Sequence, residues 1–217
     1  MSIGAFLFEN YMKPVLIDGS IFPPLFNEVR KVKETLKTYC LPGDAIPSPK
    51  QNLRYAIEQT YGVTVDIRLV PLETPLLRGL IEIYDKRSMI YIDSGLNSQW
   101  TRYVFAKEIS HHLLHQDEYF SLNIMSTIDY IILDEREIDG DAVHPSKDIQ
   151  AEMITKFSAM EFVFPYEFRE ISKAEIASGK TTAFAVAAHF DIPEHIVQYA
   201  LSDKYMEYAK RVWAEIH

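Results

Sequence analysis

The chain contains a single cysteine, Cys40. That excludes an internal disulfide and fits a reducing compartment. In its 217 residues no apolar run approaches the roughly 20 that a membrane-spanning helix needs. The run from Ile3 to Phe8 is short and has no basic segment before it, so no secretory signal is expected there. Basic charge is also in deficit: 22 lysines and arginines against 31 aspartates and glutamates leave a net charge of −9. Phosphate binding needs a concentrated basic surface, so nucleic acid is not expected as a direct partner. Internal repeats and low-complexity tracts are missing as well. These deficits predict a cytoplasmic protein with no membrane association.

What is present is ordinary for a globular protein: 47% hydrophobic and 24% charged residues, enough for one large domain or one and a half. Residues 1–24 read as an irregular arm or short strand. Leu25, Val29, Val32 and Leu36 recur at helical spacing up to Tyr39. Pro42, Gly43, Pro47 and Pro49 then break the chain, which predicts an N-terminal arm and helix over 1–45 and a main domain over 46–217. Asn52–Tyr61 reads as a helix closed by Gly62. Val63–Val70 reads as a strand, and Leu80–Tyr84 and Met89–Ile92 as a hairpin across Asp85–Ser88. With Ser98 as its cap, a helix is expected over 99–115. Its apolar residues, from Trp100 to Leu114, surround most of the axis, so it should be central and buried.

Between 116 and 146 a short helix or strand over 124–133 and a solvated acidic loop over 134–141 are expected. Ser146 can cap a further helix running to Val163, with an apolar stripe of Ile149, Met153, Phe157, Met160 and Phe164, stopped by Pro165. Two or three shorter helices follow. Thr181–Leu201 reads as a helical hairpin around Asp191-Ile-Pro193. Its second helix offers Glu194, His195 and Gln198 rather than the arginine, lysine or asparagine of a DNA reader. The expected fold class is α+β, mostly helical, with a small β-sheet packed on a helical bundle.

The chemistry-bearing segment is Arg102–His115, RYVFAKEISHHLLH. In a zinc-peptidase helix two histidines at i and i+4 face one way and bind one ion, and the glutamate after the first activates the metal-bound water. Here those positions hold Lys107, Glu108 and His111. The spacing survives but the first ligand does not, because a lysine ammonium has no lone pair and repels a divalent cation. His111 with His115 forms its own i,i+4 pair, and His112 lies four residues after Glu108, so a displaced metal site is an alternative. Glu108-x-x-His111 is also half of a di-iron carboxylate motif, whose other half is missing.

The segment resembles the ImmA/IrrE zinc-peptidase family at Arg102, Ala106, Glu108, His111, Leu113, Leu114 and His115. A second match is Ala159-Met-Glu-Phe-Val-Phe-Pro165, and the similarity extends in element order over about residues 46–200. It departs at Lys107, at Ser110, and in a long interval before the second helix. The resemblance implies a zincin-like domain with zinc as cofactor, Glu108 as general base and His111 as a ligand, and it assigns His115 to the scaffold. A third ligand is expected early in the helix that ends at Pro165. Glu152 fits that region, although counting back strictly from the proline reaches Ile154. The alternative for Glu152 is an i,i+4 surface pair with Lys156.

Two functions follow from the resemblance. One is an active zinc endopeptidase that cleaves a helix-turn-helix repressor. The other is a pseudo-enzyme in which the Lys107 ammonium takes the metal's place, with no metal bound, and which binds a protein partner such as a transcriptional repressor. The lysine substitution favours the second.

Overall fold

The computed structural model describes residues 22–39, 50–72, 77–114 and 147–214. Cys40, the arm over 1–21 and the elements expected over 116–146 lie outside the described residues. Within them the chain is α+β and mostly helical, as expected. Helix α1 (Phe22–Tyr39) is followed by α2 (Lys50–Tyr61), strands β1 (Thr64–Val70), β2 (Gly79–Ile83) and β3 (Arg87–Asp93), and α3 (Ser98–Ile109). A 3-10 turn (Ser110–Leu113) continues α3. The C-terminal part holds α4 (Lys147–Val163), α5 (Tyr166–Ala177), α6 (Ala183–Phe190), α7 (Glu194–Ala200) and α8 (Asp203–Ala214). Four helices therefore follow Pro165, where two or three were expected. Among the described residues no helix is long and apolar enough to cross a membrane.

The sheet has the order β1-β3-β2, with β1 parallel and β2 antiparallel to β3. Its inner face follows from the register. Val65 sits opposite Ser88, Ile81 and Ile67 opposite Ile90, and Gly79 opposite Ile92. All but Ile67 are buried there, as the period-two alternation of a half-covered sheet requires. The outer face carries Asp66 paired with Arg87 at 2.7 Å, and Tyr91, whose hydroxyl donates to Glu82 at 3.0 Å.

Helix α3 runs beneath this sheet and also packs against α2 and α4. Tyr103, Val104, Phe105, Ala106, Glu108 and Ile109 are all buried, matching the apolar circumference read from the sequence. Helix α4 is covered more fully than a stripe would predict. Every residue from Phe157 to Val163 is buried, because α1, α3 and the 3-10 turn enclose it. Leu25, Phe26, Val29 and Val32 of α1 join the same core.

One buried polar node holds the C-terminal helices. Glu161 of α4 and Arg169 of α5 are wholly buried and paired with each other. The Arg169 guanidinium also lies 5.3 Å from the Tyr205 ring of α8 and 5.6 Å from the Tyr166 ring. Burial pushes the Tyr205 phenol up to about 12. Nothing in the sequence patterning singled out Arg169. A buried pair is recognised only once the two helices are known to meet.

Candidate functional site

Helix α3 starts one residue earlier than its serine suggests. Asn97 is the cap: its side-chain oxygen accepts the Trp100 N–H at 2.9 Å, satisfying a donor that the first turn leaves without an intrahelical partner. Ser98 is then the first helical residue, and its hydroxyl reaches Asp191 at 3.4 Å instead. The helix ends at Ile109 rather than 115. Ser110 opens the 3-10 turn, and its hydroxyl donates to the Ala106 carbonyl at 2.7 Å. A serine bonding back four residues competes with the helical ladder and tightens the turn.

Glu108 is the centre of the site and is 2% exposed. Lys107 brings its Nζ to 2.9 Å from Glu108 Oε1, and His111 brings its Nε2 to 3.8 Å from Glu108 Oε2. The two carboxylate oxygens thus face an ammonium on one side and an imidazole on the other. Lys107 and His111 keep 17% and 14% of their side-chain surface exposed, against 3% for Glu108. The ammonium sits at ion-pair distance but off the direction of a hydrogen bond to Oε1.

The floor of the site is a glycine that the sequence reading did not single out. A Cβ at Gly79 would lie 2.4 Å from Val104 Cγ1 and 3.0 Å from both Cγ and Oε1 of Glu108. The first residue of β2 therefore rests directly on the helix at the carboxylate. Asp93 N–H bonds to the Arg78 carbonyl at 3.0 Å and Tyr84 N–H to the Arg87 carbonyl at 2.8 Å. In an antiparallel ladder that phase turns the peptide groups of Gly79, Ile81 and Ile83 away from β3. Among the described residues no strand pairs with that edge.

His112 points elsewhere. Its Nε2 is 2.9 Å from the buried Ser88 hydroxyl of β3, and its ring stacks on Tyr61 with centroids 6.1 Å apart. Burial, and then the neighbouring His111, lower its pKa to about 4, so it is a neutral bridge between helix and sheet. The remaining ligands expected from the sequence are not described as side chains. His115 lies outside the described residues. Glu152 falls in the second turn of α4, and its side chain is also outside them. Ile154, the position reached by strict counting from Pro165, is fully buried and apolar.

A catalytic zinc needs three protein ligands with lone pairs. Of the ligands the resemblance implies, His111 alone has a described side chain, and Lys107 adds a cation beside it. The described residues thus do not make a zinc site by themselves. Among them no group of three or more histidine, cysteine, aspartate or glutamate side chains is arranged to hold a metal. What they do form is a buried carboxylate neutralised by a local ammonium. Comparison with protein-family models gives no match for this chain, and no curated protein matches it.

Proposed function

We propose that this chain is a degenerate ImmA/IrrE-type peptidase that binds a protein partner in the cytoplasm without a catalytic metal. One observation carries the proposal: the Lys107 ammonium lies 2.9 Å from the carboxylate that would otherwise activate a metal-bound water. In that position it supplies the positive charge a metal would supply, and it lowers the cost of burying Glu108.

The partner is a polypeptide of the helix-turn-helix repressor class, which the resemblance implies. The edge of β2 beside Glu108 supports this, since peptide groups turned away from β3 can bond an extended segment. The test is the metal content of the full chain purified without chelator. The proposal expects no stoichiometric zinc at neutral pH. About one zinc per chain, lost on His111→Ala, would refute it, and alanine substitution at His112, His115 and Glu152 would show whether the site is displaced.

A further inference from the structure

We propose that Trp100 is the joint of an acid-sensitive latch, through which the C-terminal helical hairpin holds the start of β2 on Glu108. Three separate parts of the chain meet at this one indole. The Arg78 guanidinium, immediately before β2, lies 3.6 Å from the ring centroid. The His195 ring of α7 is 4.7 Å from the same ring at a tilt of 40°. Trp100 itself stands in the first turn of α3, with its backbone N–H held by the Asn97 cap.

The joint bears on the site because Arg78 is bonded to Gly79. That dipeptide meets α3 twice, at Trp100 through the guanidinium and at Val104 and Glu108 through the missing Cβ. Asp93 N–H fastens the Arg78 carbonyl to β3 at 3.0 Å. Release of Arg78 from the indole therefore loosens β2 at the residue that covers the carboxylate. The inference concerns how the strand is held and stands whatever the site binds.

The chemistry of His195 makes the joint sensitive to acid. A neutral imidazole packs on the indole beside one guanidinium without penalty. A protonated one loses hydration against the ring and stands beside a second cation, and both effects disfavour the charged form. The neighbouring charges do not relieve them. Asp191, in the turn before α7, is engaged by the Ser98 hydroxyl at 3.4 Å and lies in the field of Arg102. Glu194, on α7 itself, turns to Gln198 at 3.2 Å. Burial and then Arg78 lower the pKa of His195. The closed latch thus binds fewer protons than the open one. It is fully stable above the ordinary histidine value of 6.5 and weakens as pH falls from there through the lowered value.

The experiment uses the full chain with Trp213→Phe, which leaves Trp100 as the one tryptophan, alone and combined with His195→Gln or Arg78→Gln. Indole fluorescence is followed across the acid range, and amide hydrogen exchange of residues 78–83 is measured at both ends of it. Exchange rates are corrected for the intrinsic effect of pH. The latch predicts a fluorescence change in acid that is lost in His195→Gln, and exchange that acid speeds severalfold more in the parent than in His195→Gln. In Arg78→Gln the fluorescence change moves to higher pH, since the repelling charge is gone. His112 titrates in every one of these proteins and cancels from the comparison. Exchange of residues 78–83 that acid speeds equally in His195→Gln and in the parent would overturn the proposal, as would residues 78–83 indifferent to acid in the parent.

Discussion

Gly79→Ala isolates the contact on which the site is built. The glycine needs no positive φ, so the backbone accepts alanine and the cost is steric. The new Cβ would stand 2.4 Å from Val104 Cγ1, where ordinary contacts are 3.4–4 Å, so strand or helix must move by about an ångström. Overpacking of this kind costs about 1–3 kcal/mol. Alanine regains about 0.5–1 kcal/mol over glycine in a strand through the unfolded chain, leaving a net loss of up to about 2.5 kcal/mol. Val104→Ala alone should cost about 1–2 kcal/mol through two lost methyl groups. Together the substitutions should cost clearly less than their sum, because the shortened side chain vacates the space that the new methyl needs. Urea unfolding of the four proteins, followed by circular dichroism, gives each stability by linear extrapolation. If the two costs add to within about 0.5 kcal/mol, β2 does not rest on α3 as described.

Two further predictions test the surrounding structure. With its pKa lowered to about 4, His112 is neutral when folded and charges only at a cost. Its contribution to stability is complete above 6.5 and is lost as pH falls towards 4, by roughly 3 kcal/mol. His112→Gln should flatten that acid limb in unfolding measured against pH, and an unchanged limb would place the titration elsewhere. Arg169→Met leaves the Glu161 carboxylate buried and uncompensated, which should cost about 3–5 kcal/mol. Adding Glu161→Leu should recover much of the loss, and a single-mutant cost below about 1 kcal/mol would contradict the buried pair.

The long helices, the three strands and the turn at Gly62 were legible in the sequence because periodicity and breakers report them directly. Boundaries were less so: Ser98 and Asn97 are both good caps, and only the path of the Ser98 hydroxyl to Asp191 shows which one closes the helix. The C-terminal limit of α3 was also hidden, since Leu113 and Leu114 continue the apolar pattern through a 3-10 turn. At the site, the i,i+3 spacing placed Glu108 and His111 together and the structure agrees. Gly79, Ser88 and Arg78 were not legible. Each acts across the fold, on a residue 12 or more positions away, and a glycine that must be bare looks in sequence like any other strand glycine.

The central claim is that the Lys107 ammonium stands where a metal would stand. It is tested most directly by thermal melts of the wild type and Lys107→His during a zinc titration, with Lys107→His/Glu152→Ala as the third protein. Replacing lysine removes the opposing charge and restores two imidazoles at i and i+4 beside Glu108. The wild type should show a Tm indifferent to zinc. Lys107→His should show a Tm that rises with zinc concentration, by mass action on the folded state. Loss of that rise in the double variant would identify Glu152 as the third ligand. A wild type stabilised by zinc as strongly as Lys107→His would contradict the claim, as would a folded Lys107→His that zinc leaves unchanged.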